Sequence, residues 1–164
     1  MLEDVVNFNE VPIDDAEFTE KCRLELNQKG VVTLHNFLKY ETVEELIKEA
    51  KNRSRLAYFT DSTHNVYLTP KNENLGPEHV FNRQLNSSKG CITTDQIPEN
   101  SKLKELYFSD IFKNFICRVV EEEALYEYAD SLSSINVHYA SEGQELNWHF
   151  DNSKFAITLL LQAP

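Results

Sequence analysis

The N-terminal part of the chain repeats its apolar residues with the period of an α-helix. Phe18, Cys22 and Leu26 recur every four positions, which places them on one helix face. A capping box that begins at Asp14 precedes them, and Gly30 follows as a typical C-terminal stop. The pattern predicts a helix between these two signals.

Further helical signals follow along the chain. Residues 31–34 are rich in β-branched side chains and predict a short strand, with a buried Phe37-Leu38 pair beyond it. A second capping box at Thr42 predicts a helix whose apolar face contains Val43, Leu46, Ile47 and Ala50. A third helical region, either one helix or a helix pair, begins at Ser101 and carries its apolar stripe to Val119.

Residues 54–100 are irregular, because Asn, Ser, Thr, Pro and Gly interrupt every apolar run. Short strands are possible at residues 58–59 and 66–68. Long irregular segments of compact domains are often lids or binding loops. A disordered surface insertion is the alternative.

From residue 134 onward the apolar period changes from helical to two-fold. Strands are predicted at residues 135–140, around His149, and at residues 155–161, the last buried on both faces. The order of elements predicts an α+β fold in a single domain, 1–164. Residues 1–130 are expected to be mainly helical, with the irregular 54–100 segment, and residues 131–164 to form the first core strands.

Composition narrows the classes of function. The 164 residues, 41% of them hydrophobic, suit one domain with a core. A net charge of -11 argues against nucleic acid or an anionic membrane as partner, because both attract clustered Lys and Arg. There is no apolar run of membrane-spanning length and no secretory signal. Three widely spaced cysteines favour reduced thiols, so a cytoplasmic location is expected.

The candidate chemistry lies in the sequence Asn147-Trp148-His149-Phe150-Asp151-Asn152. On a strand, alternate side chains share a face, so His149 and Asp151 would point together, with Trp148 and Phe150 packed behind them as a wall. An imidazole and a carboxylate on one side suit a metal ion. A His–Asp hydrogen bond on a sheet surface is the alternative reading of the pair.

The surroundings of this pair resemble the iron(II)/2-oxoglutarate-dependent oxygenases. The resemblance is carried by a strand ending in Tyr139, a turn at Gly143 and the W-H-x-D sequence of residues 148–151, and upstream by residues 30–38. It implies N-terminal helices packed on a double-stranded β-helix (jelly-roll, cupin-like) that is incomplete at the C-terminus. It also implies Fe(II), 2-oxoglutarate as cosubstrate, and O2.

Residues 90–107 and 148–162 are similar to the branch of free-amino-acid halogenases and their hydroxylase relatives. The halogenases of that branch have Gly at the carboxylate position, which opens a coordination site for halide. This chain has Asp151 there. The resemblance therefore implies hydroxylation of an unactivated C–H bond in a small substrate such as a free amino acid, with a phytanoyl-type or protein-prolyl-type hydroxylase as alternatives.

Four further residues are candidates for this chemistry. Tyr139 either donates its phenol to 2-oxoglutarate or is a buried sheet tyrosine, and Thr158 either faces the cosubstrate or packs in the core. Arg83 offers a two-donor fork for a substrate carboxylate, with a plain surface arginine as the alternative. Asn152 is a candidate substrate contact beside the metal carboxylate.

The resemblance also implies a distal His ligand and a basic residue for 2-oxoglutarate, both placed after the H-x-D sequence. The other histidines, His35, His64, His79 and His138, all precede it, so they do not fit the family's chain order. We therefore expect an N-terminal fragment of an oxygenase, with an uncovered sheet edge that favours self-association. The alternative is a truncated, non-catalytic relic of the fold that acts in binding.

These expectations predict weak metal affinity and no turnover for residues 1–164 alone. The measurement is conversion of 2-oxoglutarate to succinate by the purified chain with Fe(II) and O2. Succinate above the protein-free background would contradict the prediction, because the chain would then hold a complete iron site.

Overall fold

The computed structural model describes residues 1–130 and 132–163. Ser131 and Pro164, which bound the predicted strand segment 131–164, lie outside the described residues. The chain divides into two compact units, each built from two stretches of sequence. Unit 1 contains Met1–Asn52 and Thr93–Ile135, and unit 2 contains Arg53–Ile92 and Asn136–Pro164. The single-domain assignment stays a prediction.

The described residues form four α-helices and one three-stranded antiparallel sheet, so the α+β class is confirmed. The helices are α1 (Ala16–Lys29), α2 (Tyr40–Arg53), α3 (Lys102–Tyr107) and α4 (Asp110–Val119). The strands are β1 (Tyr58–His64), β2 (Leu85–Ile92) and β3 (Val137–Tyr139). Short 3-10 turns at Leu2–Asp4, Ser54–Leu56, Val80–Asn82 and Thr94–Gln96 connect them.

The first predicted helix is confirmed as α1, with its cap shifted by one residue. Asp15, not Asp14, is the N-cap, because its Oδ1 accepts a hydrogen bond from the Phe18 N–H at 2.7 Å. Gly30 ends the helix in the left-handed conformation, with φ of 73°. Cys22 is the buried member of the predicted apolar face.

The second and third helical regions are also confirmed, with one correction. Thr42 lies inside α2 and is not its cap, because its buried hydroxyl donates to the Asp4 carbonyl at 3.1 Å. The region after Ser101 is a helix pair, α3 and α4. Ser101 and Ser109 cap these helices through their side chains.

The core of unit 1 depends on an N-terminal segment that the sequence patterns did not reveal. Val5 and Val6 are completely buried, and the Lys39 N–H donates to the Val5 carbonyl at 3.0 Å. The other buried apolar residues of unit 1 come from several elements: Leu2, Val11, Ile13, Cys22, Leu38, Leu46, Ile97, Leu106, Phe115 and Val119. Phe18 of α1 stacks on Phe115 of α4, with ring centroids 6.3 Å apart.

The predicted strand at residues 31–34 is wrong. These residues form no ladder, and Val31 is 59% exposed. A strand needs a partner for its backbone groups, and the described residues offer none here. Leu38 is buried as predicted and makes an isolated bridge with Val6.

The sheet of unit 2 has the order β1-β2-β3. β1 pairs with β2 over seven residues, and β3 pairs with β2 over three. Gly90 lies in the middle of the sheet, between Phe59 of β1 and Tyr139 of β3. A Cβ at position 90 would stand 2.7 Å from the Phe59 ring, so the glycine allows that ring to lie against β2.

Three predicted strands are wrong. Residues 66–68 form a turn, residues 147–152 have no regular structure, and neither do residues 155–161. Ile157 and Leu160 are 56% and 75% exposed, which contradicts a strand buried on both faces. Alternating side chains satisfy no backbone hydrogen bonds by themselves, and no ladder partner for these segments exists among residues 1–130 and 132–163.

The loop between β1 and β2 is organised by one buried amide. Asn82 is 4% exposed, and its Nδ2 donates to the carbonyl oxygens of Asn72, Leu75 and Gly76 at 3.0 to 3.2 Å. Its Oδ1 accepts from the Asn72 N–H at 2.8 Å. One side chain therefore holds the loop that the sequence marked as irregular.

We predict that Asn82→Ala lowers the free energy of unfolding by about 1–3 kcal/mol, because it removes the four hydrogen bonds between this buried amide and the loop backbone. Asn74→Ala is the matched control, since Asn74 lies in the same loop with an exposed side chain. Urea unfolding of both variants measures the difference. Equal stabilities would show that the amide does not hold the loop.

Candidate functional site

His149 and Asp151 lie close together, although they are not on a strand. His149 Nε2 and Asp151 Oδ1 are 3.5 Å apart, and the two side chains are 28% and 57% exposed. This separation is longer than the usual range of a hydrogen bond. The separation is also shorter than the summed length of two metal–ligand bonds of about 2.0–2.2 Å each. One ion can therefore contact both atoms.

The other ring nitrogen of His149 faces a backbone carbonyl. Nδ1 lies 3.0 Å from the oxygen of Asn147, which accepts hydrogen bonds but cannot donate one. When Nδ1 carries the proton of a neutral imidazole, Nε2 presents its lone pair on the side of Asp151. This is the tautomer that metal ligation through Nε2 requires. In the imidazolium form the same two residues make a His–Asp ion pair.

His64 lies beside this pair, a neighbour that the sequence did not predict. Its ring centroid is 5.5 Å from that of His149, in an edge-to-face arrangement. Its Nδ1 faces the Asn65 carbonyl at 2.9 Å and its Nε2 the Leu146 carbonyl at 3.3 Å. Within the part of the chain that the structure describes, no group of three or more His, Cys, Asp or Glu residues is arranged to hold a metal ion.

The predicted wall of two packed aromatics is wrong for Trp148, which is 84% exposed. Phe150 is 64% exposed but stacks on Tyr67, with ring centroids 5.6 Å apart and planes 20° apart. The segment has no sheet behind it. Only Phe150, which meets the turn after β1, therefore has an aromatic partner.

The remaining candidates lie at different places in unit 2. Tyr139 is the last residue of β3 and is half-buried opposite Gly90. Asn152 and Thr158 are exposed, and Thr158 is on no strand. In the described chain no hydrogen bond or ion pair joins Arg83, Asn152 or Thr158 to the His149–Asp151 pair.

Arg83 borders a cavity of about 470 Å³ in the loop that Asn82 organises. Lys71 and Glu78 also line it. The cavity thus combines two cationic side chains with one carboxylate. The sequence pattern indicates Arg83 alone, because the loop fold that adds Lys71 and Glu78 depends on hydrogen bonds of Asn82 to residues six to ten positions away.

No protein-family model, curated protein or solved structure matches the chain. No helix among the described residues is long and apolar enough to cross a membrane. What the His149–Asp151 pair does must therefore be inferred from the chemistry of the residues themselves.

His138 is the histidine of the sheet, opposite Cys91 in the ladder. Partial burial, and then the positive charge of Lys89, lower the pKa of its imidazole. Both effects disfavour the charged ring. The folded chain therefore binds fewer protons than the unfolded chain just below pH 6.5, the ordinary value, so this group makes folding less favourable as the pH falls through that value.

We predict that His138 titrates below its ordinary pKa in an NMR pH titration, and that Lys89→Gln moves the pKa upward by removing the nearby charge. Lys48→Gln is the control, because Lys48 is not among the charges that act on His138, and it should leave the pKa unchanged. A His138 titration at or above the ordinary value would contradict the assignment.

Proposed function

We propose that this chain carries part of the metal site of a non-haem iron(II)/2-oxoglutarate-dependent dioxygenase. The single observation that carries the proposal is the 3.5 Å separation of His149 Nε2 and Asp151 Oδ1. An imidazole nitrogen and a carboxylate oxygen are two members of the two-histidine, one-carboxylate ligand set that such enzymes use. The resemblance of residues 139–151 to these oxygenases indicates which metal and which reaction the pair would serve.

The residues present fit two of the three protein ligands. The carbonyl of Asn147, 3.0 Å from His149 Nδ1, would fix the ring in the tautomer that ligates. The Asp151 side chain is 57% exposed, so an ion from solution could reach its carboxylate. When bound, iron(II) together with 2-oxoglutarate supplies the activation of O2 for C–H hydroxylation, and the protein's tasks are to hold and orient these groups.

We assign the other candidates by the same proposal. Tyr139 and Thr158 would contact 2-oxoglutarate, and Arg83 and Asn152 would contact the substrate. In this assignment Arg83 and Lys71 would suit the carboxylate of a free amino acid, and Glu78 would suit its ammonium group. The presence of Asp151, where related halogenases have Gly, supports hydroxylation.

The proposal extends to the fold. β1, β2 and β3 would belong to one sheet of a double-stranded β-helix, in which the H-x-D segment comes directly after β3. The antiparallel pairing of the three strands supports this, because that architecture is built from antiparallel strands.

A second function, binding without catalysis, is favoured by the exposed apolar side chains on either side of His149 in the sequence. Trp148 and Phe150 are 84% and 64% exposed. Neighbouring exposed apolar groups mark interaction surfaces. In this alternative His149 and Asp151 are relics of an oxygenase ancestor.

Metal binding separates the two functions. We predict that the chain binds Co(II), a spectroscopic substitute for Fe(II), with one ion per chain, and that His149→Ala and Asp151→Ala each weaken binding by at least about tenfold, because each removes one ligand of the pair. Isothermal titration and the visible absorption of bound Co(II) measure it.

His35→Ala is the matched control, because His35 is an exposed histidine of unit 1. It should bind Co(II) like the parent chain. If the parent chain binds no Co(II), or if both ligand variants bind as it does, the oxygenase proposal fails and the binding alternative remains.

A further inference from the structure

We propose that residues 64–69, named here the anchoring turn, position the His149–Asp151 pair, and that Tyr67 is the main positioning residue. This inference rests on the proposed metal-binding role of the pair. Its parts lie within unit 2 and come from two segments far apart in sequence.

The anchoring turn is fixed by its own hydrogen bonds. Asn65 is 1% exposed, and its Oδ1 accepts from the N–H groups of Tyr67 and Thr69, both at 3.1 Å. Its carbonyl accepts from the Leu68 N–H at 3.0 Å. The turn begins at His64, the last residue of β1, and the seven-residue ladder between β1 and β2 fixes this position. The conformation of the turn therefore does not depend on its contacts with the H-x-D segment.

Phe150, the central residue of the H-x-D segment, contacts this turn. The Phe150 N–H donates to the Val66 carbonyl at 2.8 Å, and the Phe150 ring stacks on Tyr67. Phe150 lies between the two proposed ligands in sequence. Fixing its backbone and its ring limits the backbone freedom of both neighbours, which a segment outside any ladder would otherwise keep.

His64 adds a contact on the other side of the pair. Its Nε2 lies 3.3 Å from the Leu146 carbonyl, and its ring meets that of His149 edge to face. The H-x-D segment is thus held before His149 by His64 and after it by Val66 and Tyr67. These contacts replace the strand pairing that the sequence predicted.

The Tyr67 ring stacks on two other rings. Its centroid is 5.1 Å from that of Phe81, with planes 24° apart, and 5.6 Å from that of Phe150. Phe81 is two residues before Arg83 in the cavity loop. Tyr67 itself is 44% exposed, so its ring contributes less to a core than a buried residue would. Its contacts serve the placement of Phe150 more than the stability of the unit.

The test compares Tyr67→Ala with Tyr67→Phe. The alanine variant removes the stack, whereas phenylalanine keeps the ring and removes only the hydroxyl. In the full chain, hydrogen exchange of the Phe150 amide reports the anchoring without any metal, and Co(II) titration reports the pair. We expect Tyr67→Ala to speed Phe150 exchange and to weaken Co(II) binding, each about two- to tenfold, the range for losing one aromatic pair. Tyr67→Phe should restore both.

Tyr58→Ala is the matched control, because Tyr58 is an exposed tyrosine of β1 in the same unit, 75% exposed. It should change neither readout, and the far-UV circular dichroism of all three variants should match that of the parent. This separates positioning from a general loss of structure.

The outcomes are distinct. Unchanged Phe150 exchange in Tyr67→Ala overturns the anchoring, and faster exchange with unchanged Co(II) affinity overturns the positioning role while the metal site stands. A parent chain that binds no Co(II) overturns the proposed function, and with it the positioning role, whatever the exchange shows. Only a joint change that Tyr67→Phe restores supports the inference.

Discussion

The seven-residue ladder between β1 and β2 is the constraint on which unit 2 depends. It fixes the end of β1 at His64, and the turn after His64 then offers Val66 and Tyr67 to the segment that carries His149 and Asp151. The candidate site therefore takes its geometry from a strand pair to which neither proposed ligand belongs. A short β3, with three paired residues, completes the sheet without extending it to the H-x-D segment.

The helices could be predicted from sequence because their signals are local. Asp15, Ser101 and Gly30 act within one turn of their own helices, and the four-residue apolar repeat needs no distant partner. The sequence predicts the cap of α1 one residue too early, because two aspartates stand together, and the structure shows that Asp15 is the one that accepts from Phe18. The sequence predicts Thr42 as a cap because a buried threonine that bonds the Asp4 carbonyl has the same sequence surroundings as a cap.

The strands could not be predicted in the same way, because a strand is defined by its partner. The apolar residues 31–34 and 155–161 have the composition of strands but no ladder in the described chain, whereas the polar sequence of β2 forms the middle strand of the sheet. At the site, the spacing of two residues was enough to bring His149 and Asp151 together. His64 could not be found from spacing, since 82 positions separate it from Leu146. Asn65 could have been found from the sequence. The side chain of an asparagine that begins a turn often accepts a hydrogen bond from the backbone N–H two residues later.

Gly90 limits which substitutions this sheet can accept during evolution. The Phe59 ring occupies the space where a side chain at position 90 would begin, and Tyr139 pairs with the same glycine from the other side. Positions 59 and 90 should therefore vary together, because a larger residue can enter at 90 only where the ring at 59 moves away or a smaller residue replaces it. Among descendants of this chain, an aromatic at 59 should be inherited with glycine at 90.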